Sequence, residues 1–73
     1  MTEEQNKKFW FVGSELKALV RKIDKNVVDL TYMCSETTGT EIVNINYSSG
    51  YTRSVDVTAD SLPAIARDVL NHF

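Results

Sequence analysis

"EIVNINYSSGYTRSVDV", residues 41–57, decides the fold. Val43, Ile45 and Tyr47 alternate with Asn44 and Asn46, and past a polar turn Tyr51, Val55 and Val57 alternate with Thr52, Ser54 and Asp56. Successive side chains of a strand point to opposite faces, so each arm reads as a half-buried strand and the two together as an antiparallel hairpin. A three-residue connection, Ser48-Ser49-Gly50, with Gly50 left-handed after a type I turn, sets Tyr47 against Tyr51, Ile45 against Arg53 and Val43 against Val55. A two-residue loop would oppose Ile45 to Ser54 and Val43 to Asp56 and mix the faces, so the hydrophobic pattern selects the longer loop.

Upstream, "VVDLTYMC" (27–34) alternates in the same way. Val28, Leu30, Tyr32 and Cys34 are expected on one face, with Asp29 and Thr31 on the other, as the first strand of a meander. The polar connection "SETTGT" reads as an exposed loop. Downstream the period changes: Leu62, Ile65, Ala66, Val69, Leu70 and Phe73 recur at three- and four-residue steps, Asp60 or Ser61 can cap the start, and Pro63 falls in the first turn, where a missing N–H is tolerated. An amphipathic helix is expected there. A second helix is expected before the sheet, capped by Ser14, with Leu16, Leu19, Val20 and Ile23 as its apolar stripe and "DKN" at its end.

"FWFV" (9–12), followed by Gly13, reads as a short extended segment on the β-propensity of its residues. The rival reading is one helix from Thr2, capped by a box of Thr2 with Gln5, and Gly13 inside that helix would cost about 1 kcal/mol relative to Ala. The fold expected is α+β: a three-stranded antiparallel meander with two helices on one face, in the order α-β-β-β-α, with the N-terminal segment as an extra edge strand or packed beside the helices. The outer sheet face, with Asp29, Thr31, Asn44, Asn46, Thr52, Ser54 and Asp56, is polar and can face water.

The 73 residues make a single domain, in which folding removes roughly 60 to 65% of the unfolded chain's surface and leaves a thin core. Cys34 is the only cysteine, so no disulfide can staple the chain, and a lone thiol suits a reducing compartment. The first residues are polar and charged rather than a signal peptide, and no apolar run is long enough to span a bilayer; a cytoplasmic protein is expected. The net charge of −2 argues against a general polyanion binder. Residues 1–25 hold six Lys or Arg against four acids and residues 26–73 hold two against six, which leaves room for a basic stripe or head-to-tail association.

Chemistry-bearing motifs are sparse. A thiol nucleophile needs a base within hydrogen-bond reach, whereas Cys34 is expected on an inward strand face and His72 at the chain's end, so an enzyme is not expected. One Cys and one His cannot close a tetrahedral metal site, and Gly13, Gly39 and Gly50 are too isolated to cradle a phosphate, so neither metal nor cofactor is expected. Lys17, Arg21 and Lys25 follow at four-residue steps and would line one helix edge, able to meet an acidic protein surface or a phosphate; an ordinary solvated face is the simpler reading. Tyr47, Tyr51 and Arg53, with Tyr32 on the same expected face, could stack a base, and cross-strand packing is again the simpler reading. If only part of Phe9, Trp10 and Phe11 fits so small a core, the remainder forms an apolar interaction patch that a partner must cover; burial within the chain and burial against a second chain are both open to this run.

The stretch "GYTRSVDVTADSLPAIARDVLNHF" (50–73) resembles the ending of small accessory proteins carried by phages and mobile elements of Firmicutes, where a strand of the type "GY.R.V.VTADS" runs into a helix of the type "AI..DVL". The resemblance carries no catalytic residues. It implies a compact protein of the bacterial cytosol that binds a host or defence protein or sequesters a small signal. The expectation is thus a non-catalytic, self-associating interaction module, a homodimer or larger homo-oligomer, that inhibits a host or defence component. The alternative is a small protein that binds nucleotides or nucleic acid through the basic stripe or the tyrosine cluster.

Overall fold

A computed structural model describes residues 2–35, 37–57 and 61–73. Helix α1 (Glu3–Phe11) runs through a π-helical turn (Val12–Leu16) into α2 (Lys17–Ile23), followed by strands β1 (Val27–Cys34), β2 (Glu41–Tyr47) and β3 (Thr52–Val57) and helix α3 (Leu62–Leu70). The strands form an antiparallel sheet in the order β1-β2-β3. This is the α+β arrangement expected, helix then meander then helix.

The hairpin adopts the register that the alternation selects: Ile45 pairs with Arg53 and Val43 with Val55. Tyr47 N donates to Tyr51 O at 2.9 Å, Gly50 N donates to Tyr47 O at 3.0 Å, and Gly50 has φ +90°, which closes a three-residue loop with a glycine bulge. In β1 the pairing shifts between Val27 and Asp29, leaving Val28 as a bulged residue. The expected face is therefore corrected at its first position: Val27 is buried and Val28 exposed, while Leu30 and Tyr32 are buried as expected and Cys34 is half-buried.

The N-terminus overturns the extended reading. Residues 9–12 lie within a helix capped by Thr2, whose hydroxyl accepts from Gln5 N at 3.2 Å while the Gln5 side chain accepts from Thr2 N at 3.1 Å. No extra edge strand joins the sheet among the described residues. Ser14 does not cap a helix; its hydroxyl donates to Trp10 O at 2.7 Å one turn back. The buried stripe is Lys8, Val12, Leu16 and Val20, whereas Leu19 and Ile23, expected inside, are exposed. At the other end Ser61 caps α3, accepting from Ala64 N at 3.4 Å; Asp60 and Glu36 lie outside the described residues.

The molecule has two layers. The N-terminal helix packs on β1 and α3 packs on β3, and the central strand is sealed beneath them, with Val43 and Ile45 fully buried beside Ile65 and Val69. The opposite sheet face carries side-chain hydrogen bonds from Ser54 to Asn44 at 2.7 Å and from Thr52 to Asn46 at 2.9 Å. No described helix is long and apolar enough to cross a membrane.

Candidate interaction surface

Because residues 9–11 are helical, each side chain is turned about 100° from the one before, and the aromatic run cannot form one flat patch. Phe11 packs half-buried against the core. Trp10 is 66% exposed, the most exposed large apolar side chain among the described residues, and Phe9 is 46% exposed. Trp10 and Phe11 line an open groove of about 290 Å³ between α1 and the first turn of α3, together with Leu62 and the polar Asn6, Lys7, Ser14 and Glu15. The groove continues past Lys7 and Leu62 into a wider cleft of about 630 Å³ bordered by Thr2, Glu3 and Ser61. Phe9 lines neither depression, so the three-residue patch divides into a groove-lining pair and a separate exposed ring.

The basic stripe does not survive as a stripe. Lys17 Nζ lies 3.7 Å from Asp29 Oδ1, which partly neutralises it, and Lys25 lies beyond the end of α2 in the turn before β1. Arg21 is left as the helix's exposed cation of the three.

At the hairpin, the rings of Tyr47 and Tyr51 meet at 5.8 Å with a tilt of 31°, a cross-strand aromatic pair. Arg53 joins His72 rather than the tyrosines, its Nη2 lying 3.3 Å from Nδ1. A guanidinium can only donate, so that nitrogen accepts, a contact the sequence spacing gave no reason to expect. Tyr32 is not part of this cluster: it pairs with Val43, toward the other end of the sheet.

Tyr32 instead belongs to a polar knot that the pattern did not reveal. Glu41 Oε1 accepts from Lys8 Nζ and from Tyr32 Oη, each at 2.8 Å, and the Lys8 side chain is only 7% exposed. Burial, reinforced by the hydrogen bond to Glu41 and its charge, holds the Tyr32 phenol well above its ordinary pKa. Beside it, Gln5 Nε2 approaches Cys34 Sγ at 3.5 Å. A lysine on an apolar stripe opposite a glutamate at a strand start was the available signal, hidden while the N-terminus was read as extended. Cys34 sits with Gln5 at the Glu41 end of the sheet, and His72 sits with Arg53, which pairs at Ile45; the two are not brought together. No group of three or more His, Cys, Asp or Glu able to hold a metal occurs among the described residues. The groove beside Trp10 thus sets apolar Trp10, Phe11 and Leu62 among polar Asn6, Lys7, Ser14 and Glu15, and the buried knot ties the N-terminal helix to β1 and β2. No protein-family model, curated protein or solved structure matches the chain.

Proposed function

We propose that this chain is a non-catalytic protein-interaction module whose docking surface is the groove lined by Trp10, Phe11 and Leu62. The exposure of Trp10 carries the reading: the largest side chain in the chain stands outside a helix whose inner stripe is already full. Burying an exposed aromatic in a partner's contact is a main source of binding energy, and tryptophan is the residue most enriched at such anchor points. In the setting implied by the C-terminal resemblance, the partner is a host or defence protein of the bacterial cytosol that the module holds inactive. The net charge of −2 and the pairing of Lys17 with Asp29 weigh against a nucleic-acid partner.

Native protein and Trp10→Ala are to be compared for thermal unfolding and for what each retains from a bacterial lysate. The variant should unfold within a few degrees of the native chain and lose a protein that the native chain holds. Equal retention by both, or a variant that no longer folds, would count against the groove as the docking site. Light scattering identifies the occupant: a native assembly dissociated by Trp10→Ala would put a second copy of this chain in the groove.

A further inference from the structure

We propose that two copies of the chain pair through the free edge of β3, antiparallel about Ser54, into one continuous sheet. This surface is separate from the Trp10 groove and goes beyond the reading above. Its basis is the direction of the backbone groups. Tyr47 N donates to Tyr51 O, which sets the phase of the antiparallel ladder, and bonded positions alternate along it, so Arg53, Val55 and Val57 bond inward to β2. Thr52, Ser54 and Asp56 then direct their N–H and C=O groups to the side where no described strand lies.

The two sheet edges are not equivalent. By the same alternation Leu30 faces the free side of β1, and its N–H is taken by the Asp29 carboxylate at 2.9 Å, beside the bulge at Val28. A bulge and an edge charge are the ordinary means of blunting an edge. β3 has neither a bulge nor a proline along Thr52–Val57, and although it carries Arg53 and Asp56, no side-chain hydrogen bond among the described residues puts a carboxylate on an outward N–H of Thr52, Ser54 or Asp56.

The strand is complementary to itself. Placing the two-fold axis at Ser54 sets Ser54 opposite the partner's Ser54 and Thr52 opposite the partner's Asp56, so every outward donor and acceptor of the three residues finds its reciprocal. Arg53 falls opposite the partner's Val55, no like charges stand directly opposed, and the polar outer row continues across the junction. The face carrying α3 is conserved, so both helices lie on one side of the joined sheet. A foreign strand would need the same spacing of polar and apolar residues; a second copy has it by symmetry.

Crosslinking and solution mass test the pairing. In a Cys34→Ser background, Ser54→Cys should form a disulfide-linked dimer on mild oxidation, because directly opposed hydrogen-bonded residues have Cα atoms about 5.5 Å apart, within disulfide range. Asp56→Cys should not, its copies being separated by four strand positions. Ser54→Lys, at an exposed position, should keep native circular dichroism and weaken dimerisation several-fold by opposing two like charges, whereas Trp10→Ala should leave the dimer intact. A native chain monomeric at all concentrations, equal crosslinking at 54 and 56, or a dimer lost in Trp10→Ala but kept in Ser54→Lys would overturn the proposal. The last outcome would leave the groove as an interface, so the two surfaces are judged separately.

Discussion

At the scale of single residues, the polar knot at Glu41 makes a specific demand on pH. Tyr32 donates to a carboxylate oxygen that also binds Lys8, and ionising the phenol would replace that donor with a second negative charge against Glu41. In the unfolded chain the phenol loses its proton near pH 10; in the folded chain it does so only at higher pH. Above about pH 10 the unfolded state therefore binds fewer protons than the folded state, and stability falls as pH rises; below that pH the contribution is intact. Comparing native protein with Tyr32→Phe by urea unfolding isolates this titration. The stability advantage of the native chain should hold steady from about pH 7 to 9.5 and shrink from about pH 10 upward. A constant difference up to about pH 11 would mean that Tyr32 ionises as readily folded as unfolded.

At the scale of elements, the N-terminal helix shows where local and tertiary signals part. The hairpin was legible because turn, alternation and register agreed, and Gly50 sits at φ +90° as that loop requires. The helix was misread because four bulky residues in a row favour an extended chain, while the opposing signal, Thr2 three residues before Gln5, is short and polar. The stripe that decided the matter, Lys8, Val12, Leu16 and Val20, has strict four-residue steps. At 3.6 residues per turn each step overshoots by about 40°, and a π turn, with its wider i→i+5 bonding, takes back part of that drift and keeps Leu16 over the sheet. The bulge in β1 was illegible for a simpler reason: alternation continued back from Leu30 points Val28 inward, and because Val27 and Val28 are the same residue nothing in the sequence marks the shift that buries Val27 instead. Gly13 lies in the π turn without a positive φ, and a Cβ built there meets nothing within 4 Å. Gly13→Ala should consequently stabilise the protein by about 0.5–1 kcal/mol, seen as a rise of several degrees in Tm. A fall in Tm would show that the wide turn depends on glycine's freedom.

At the scale of the whole molecule, the fully buried core is aliphatic, and Tyr32, Phe11 and Tyr47 are the aromatics that pack in or against it. The fully buried side chains are aliphatic, chiefly valines with Leu16, Ile45 and Ile65, while Phe9, Trp10, Tyr51 and Phe73 are all exposed. A domain of this length is stable by on the order of 5 kcal/mol, so one large cavity consumes much of that margin. Ile45 stands fully buried on the central strand beneath the N-terminal helix and α3, with no solvent-facing side into which the structure can collapse. Ile45→Ala should cost about 2–4 kcal/mol and leave much of the chain unfolded at 37 °C, whereas Trp10→Ala, though it removes a larger side chain, should cost less than about 1 kcal/mol. Urea unfolding of the two variants decides the matter, since side-chain size alone predicts the opposite order. If Trp10→Ala proved the more damaging, the aromatic run would belong to the folding core and would no longer be available as a docking surface. The order expected here leaves the ring dispensable for folding, and a large apolar side chain that folding does not use is what a partner-binding surface requires.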